Sequence, residues 1–123
     1  MISQRRREIL EFLSKNLNKG LTIVGYGASA KATVLLNYIS FSNSEIAAIA
    51  DQSPLKQGKY IPGVAIPIVS FDQLKRLNPD LIILFAWNLR NEIIRYLNRY
   101  LRKEALVVTF MPQVSIKKLN VRA

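Results

Sequence analysis

The chain has 123 residues, half of them hydrophobic, a formal charge of +10, and neither cysteine nor histidine. That size and apolar content fit one domain spanning residues 1–123 with its own core, and exclude a disordered chain. The lack of cysteine and histidine excludes disulfides and the commonest metal-ligand sets, and leaves acid–base chemistry to eight acidic residues, lysines and tyrosines.

The first seven residues are basic, and residues 8–17 read as an amphipathic helix instead of an apolar signal core. The longest apolar run, 81–87, is too short to cross a bilayer. A cytoplasmic protein without a membrane partner is therefore expected. The basic balance favours an anionic partner. Its charges fall on the first helix (Arg5–Arg7), on a late helix (Arg90, Arg95, Arg99, Arg102, Lys103) and on the tail (Lys117, Lys118, Arg122). Solvated helix faces account for most of them. With no helix-turn-helix, aromatic RNP pattern or zinc finger, nucleic acid is disfavoured.

In chain order, Ile9, Leu10, Leu13 and Leu17 give a helical stripe within residues 3–18, which Gly20 ends. Residues 21–24 form a short apolar strand closed by Gly25, and residues 30–40 return to helical periodicity through Val34, Leu35 and Tyr38. A second strand, 46–50, ends at Asp51. The loop 52–63 is punctuated by Pro54, Gly58, Pro62 and Gly63, and an extended piece at 66–69 precedes a helix capped by Ser70 or Asp72. Pro79 stops that helix. Residues 81–86 form a third strand, and Asn88 is placed to cap a helix with a stripe of Leu89, Ile93, Leu97 and Leu101. Residues 105–110 form the last strand, before a tail opening with Met111-Pro112. Strands that read as continuous apolar runs, alternating with helices, predict an α/β fold. It is a Rossmann-like three-layer domain, with a mostly parallel sheet of four to five strands and helices on both faces.

The sharpest motif is Gly25-Tyr26-Gly27-Ala28-Ser29-Ala30, a G-x-G-x-x-A string between a strand and a helix. In that context Gly25 serves the tight turn, Gly27 a close approach of backbone to phosphate, and Ala30 close helix–strand packing. The N–H groups opening the helix would face an anion, and Lys31 beside them would balance its charge. Asp51, at the end of the second strand, stands where an acid meets a ribose hydroxyl. Lys56, Lys59 and Tyr60 add two cations and a ring to the same edge. Trp87 is placed as a packing residue or pocket wall. No catalytic residue is expected. A P-loop is excluded, as is the acidic triple-glycine turn of methyltransferases that bind S-adenosylmethionine, since Ile23 and Ser29 stand where an acid and a glycine are needed.

The segments 25–31, 35–38, 51–63, 66–68 and 87–93, in this order, resemble the C-terminal domain of sugar C-methyltransferases, over roughly residues 5–115. The resemblance implies a nucleotide-sugar-binding domain that positions a nucleotide-linked sugar, such as a dTDP-sugar, and is not catalytic alone. It implies that S-adenosylmethionine belongs to a separate catalytic domain or subunit, and that this chain binds no cofactor itself. Gly25, Gly27, Lys31, Asp51, Lys56 and Gly58 carry over as ligand contacts or loop formers. Ser29 and Ala32 depart from the proline and glycine common there. A dinucleotide-binding (NAD-type) regulatory module and a basic interaction domain are the alternatives.

Overall fold

The computed structural model describes residues 2–17, 19–101, 104–110 and 115–119, with the side chains of 2–6 and 17 left aside. Arg102, Lys103, Arg122 and the Met111-Pro112 opening of the tail therefore lie outside the described residues. The elements run α1 (Ile2–Leu17), β1 (Ile23–Tyr26), α2 (Ala30–Ile39), β2 (Ile49–Ala50), β3 (Ile68–Val69), α3 (Phe71–Arg76), β4 (Leu81–Leu84), a 3-10 turn (Trp87–Leu89), α4 (Arg90–Tyr100), β5 (Leu106–Thr109) and β6 (Ser115–Lys118).

These strands form one six-stranded sheet of order β3-β2-β1-β4-β5-β6. The first five are mutually parallel and β6 runs antiparallel to β5. The fold is thus α/β with a mostly parallel sheet, one strand richer than the pattern of apolar runs suggests. β6 sits in the segment read as tail. It is an edge strand with three of its four residues exposed, so it carries no apolar run by which to recognise it.

Each interior strand is buried on both faces because successive side chains point to opposite sides. Ile23, Ile49, Leu81, Ile83, Phe85 and Val108 pack with Ile9 and Leu13 of α1 and Ala32, Leu36 and Ile39 of α2. Val24, Tyr26, Ala50, Ile82, Leu84 and Val107 pack with Leu74 of α3 and Ile94 and Leu97 of α4. These are the two outer layers of the sandwich.

Several local expectations shift. On α2 the buried stripe is Ala32, Leu36 and Ile39, whereas Val34 is 69% and Tyr38 38% exposed. A helix with apolar residues around most of its circumference does not declare its inner face, and the sheet selects it. On α4, Leu89 is exposed and Asn88 caps nothing: the helix is preceded by the 3-10 turn, and its N-cap residue, Leu89, makes no side-chain cap bond. β2 is short as a strand, yet residues 47–50 bond to β1 throughout, from Ala47 N–H donating to Ile23 O (2.9 Å) to Gly27 N–H donating to Ala50 O (2.8 Å). Ser70 does open α3: its Oγ accepts from Gln73 N–H while Gln73 Oε1 accepts from Ser70 N–H, a reciprocal capping box.

Candidate functional site

The sheet reverses its winding between β1 and β4: from β1 the chain moves outward to β2 and β3, then returns to β4 and continues to β5. Where two adjacent parallel strands send their connections to opposite sides, a crevice opens at their carboxyl ends. A cleft of about 400 Å³ lies there, lined by Tyr26 and Gly27 after β1, Asp51 and Gln52 after β2, Ala86 and Leu89 after β4, and Glu92, Ile93 and Tyr96 of α4.

The glycine turn that forms one lip is held by the protein's own groups. Gly27 has φ +98°, which L side chains rarely adopt. Gly25 has no such φ; a Cβ there would stand 2.8 Å from Phe85 Cε2 and 3.0 Å from Ile49 Cγ1, so glycine is required by packing and not by the turn. Ala30 is exposed, and the close helix–sheet contact is made by Ala28 and Ala32. Ala28 N–H donates to Asp51 Oδ2 (2.8 Å), and Ser53 N–H donates to Asp51 Oδ1 (2.8 Å). Asp51 therefore ties the first glycine turn to the second loop through both carboxylate oxygens. Lys56 completes the clasp: its Nζ donates to Ala28 O (3.0 Å) and lies 4.0 Å from Asp51 Oδ2. Ser29 Oγ caps α2 by accepting from Ala32 N–H. The N–H groups of Ala30 and Lys31 have no partner among the described residues, and at the positive end of a helix dipole they remain available to an anion.

Next to the cleft, just after Ala86 of its lining, stands Trp87, half-buried, with Lys31 Nζ 5.6 Å from its ring centroid. This cation–π contact brings together two residues from different loops. The two rings that line the cleft, Tyr26 and Tyr96, belong to an aromatic chain: Tyr26 meets Phe71 edge-on at 6.4 Å, Phe71 meets Tyr96 at 4.9 Å, and Tyr96 meets Tyr100 at 4.7 Å. Gln52 Nε2 donates to the Tyr26 hydroxyl (3.1 Å). The Tyr96 phenol is pushed above its ordinary value, first by burial and then by Tyr26, Tyr100 and Asp72. Among the described residues no group of three His, Cys, Asp or Glu side chains could hold a metal ion.

Tyr26, Gly27, Ala28, Lys31, Asp51, Lys56 and Trp87 thus gather at the switch point. Gly58, Lys59 and Tyr60 do not. Gly58 N–H donates to Ile68 O and Ile68 N–H to Lys59 O, and Tyr60 bridges Pro67, so this segment is laid along the outer edge of β3. Three strand spacings of about 4.8 Å put it about 14 Å from β1. Gln52, Glu92 and Tyr96 line the cleft without having been singled out from the sequence, and Ile93, read there as part of the apolar stripe of α4, lines it too. Glu92 and Tyr96 are one helical turn apart, but spacing alone does not say that this face of α4 looks onto the switch point.

A doubly wound sheet of this order, with a glycine turn and a cleft at the reversal, defines a Rossmann-type α/β domain. The family of C-methyltransferase C-terminal domains matches residues 1–112, and the chain belongs to it. It is also 35% identical over 108 residues to the C-methyltransferase NovU of Streptomyces niveus, a match covering 88% of this chain and 26% of that protein. The chain therefore spans about a quarter of the length of its relative. No helix among the described residues is long and apolar enough to cross a membrane.

Proposed function

We propose that this domain binds and positions a nucleotide-linked sugar, such as a dTDP-sugar, for C-methylation, with S-adenosylmethionine held by a separate catalytic domain or subunit. The observation that carries this reading is the switch-point cleft. Rings pack on Tyr26 and Tyr96, Asp51 and Glu92 accept hydroxyl donors, and the phosphate end lies toward Lys31 and the unpartnered N–H groups of Ala30 and Lys31. Membership in the C-methyltransferase family and the likeness to the C-methyltransferase NovU support the link to C-methylation. The domain's contribution is placement: fixing a reactant against a methyl donor lowers the barrier by removing orientational freedom before the reaction.

The test is calorimetric titration of the folded chain with a dTDP-sugar and, separately, with NAD. Saturable heat with the nucleotide sugar, reduced about fivefold or more in affinity by Lys31→Ala, is expected for loss of one charge-assisted contact. A correctly folded protein that binds neither ligand refutes the reading, and preference for NAD replaces it with a dinucleotide module.

A further inference from the structure

Beside the switch-point cleft, and sharing Leu89 and Glu92 with it, lies a second pocket of about 490 Å³ lined by Trp87, Asn88, Leu89, Arg90, Asn91, Glu92 and Arg95. The two differ in charge. Among the described residues, the cleft wall carries two carboxylates, Asp51 and Glu92, and no cation, whereas the second pocket carries two guanidinium groups against the one carboxylate. The second pocket also holds an anomaly. Trp87 Nε1 and Arg90 Nε are both removed from solvent, and neither has a hydrogen-bond partner among the described residues. A buried donor without an acceptor is costly and rare in a native protein. Arg90 is held at its other end, where Nη2 donates to Ser115 Oγ (3.1 Å) on β6. Lys31 stands over the ring of the same Trp87.

We propose that this pocket is an oxyanion seat, filled by a phosphate group held by the guanidinium groups of Arg90 and Arg95, with the side chains of Arg90 and Trp87 turning on binding so that the shielded Nε and Nε1 donors meet its oxygens. A diphosphate would then lie along Trp87, one phosphate toward Lys31 and the other toward Arg90, instead of deep in the acid-lined cleft. The inference rests on the nucleotide-sugar reading only for the nature of the ligand. The donors it uses are separate from the glycine turn, whose Ala28 N–H is already taken by Asp51.

Trp87 is the chain's single tryptophan, so its indole N–H is one identifiable signal in a nitrogen-15 correlation spectrum. The probe is inorganic pyrophosphate, which has neither base nor sugar, titrated at constant ionic strength. The expected result is a saturable displacement of the indole signal that is about tenfold weaker in Arg95→Gln, an exposed position whose loss spares the core. A parallel titration of Arg90→Lys, which keeps the charge and loses the Nε donor, is expected to lower affinity as well. An indole signal that stays still, or moves equally in wild type and Arg95→Gln, overturns the proposal. If pyrophosphate leaves the indole unmoved while a dTDP-sugar still binds calorimetrically, only the seat is wrong. If pyrophosphate moves it and no nucleotide sugar binds, the seat stands and the substrate reading falls.

Discussion

Replacing Gly25 by alanine would place a Cβ 2.8 Å from Phe85 Cε2 and 3.0 Å from Ile49 Cγ1. Neither neighbour can yield easily: Phe85 is 1% and Ile49 0% exposed, both inside the layer between the sheet and helices α1 and α2. Overpacking of this kind costs about 1–3 kcal/mol. Because Gly25 has no positive φ, alanine also restricts the unfolded chain, which returns about 0.4–1 kcal/mol. A net loss of about 1–2 kcal/mol remains, a fall in Tm of roughly 5–10 °C for a domain of this size. The assay is urea denaturation of Gly25→Ala, Phe85→Leu and the double variant. A smaller side chain at position 85 should relieve the clash, so the double variant should be more stable than the sum of the two single losses by about 1 kcal/mol. A Gly25→Ala protein with unchanged stability, or strictly additive losses, refutes the packing argument and returns Gly25 to a role in the ligand turn.

Asp51→Ala removes the acceptor of both Ala28 N–H and Ser53 N–H; a loss of about 1–3 kcal/mol is expected, with faster hydrogen exchange at those two amides. Ser70→Ala breaks the capping box of α3 and should cost about 1 kcal/mol in urea denaturation with an unchanged m-value. The raised Tyr96 phenol predicts alkaline sensitivity. The folded state holds its proton above the ordinary value of 10.0, so this contribution is complete below pH 10 and is lost as pH rises through the folded value. Tyr96→Phe should flatten the fall in stability above about pH 10, and an identical slope in both proteins would contradict the assignment.

The layered α/β plan was legible in the chain because strands buried on both faces read as apolar runs: β4 is apolar throughout, and β1 and β5 are so up to Tyr26 and Thr109 at their ends. The position of the glycine turn between β1 and α2 was legible for the same reason. The roles of its small residues were not. Gly25 answers to the ring of Phe85, sixty residues downstream (85 − 25), and the helix–sheet contact uses Ala28 and Ala32 instead of Ala30.

Residue types and local order determined that this chain would stack helices on a parallel sheet and place a glycine turn, an acid and a tryptophan at strand ends. Tertiary structure alone decided that Asp51 and Lys56 clasp Ala28, that Lys31 covers Trp87, that Lys59 and Tyr60 are carried to the far edge, and that α4 turns Glu92 and Tyr96 onto the reversal point. The physical reason is that periodicity reports which side of an element is apolar, whereas neighbours across a sheet depend on strand order and register, which no local stretch of sequence encodes.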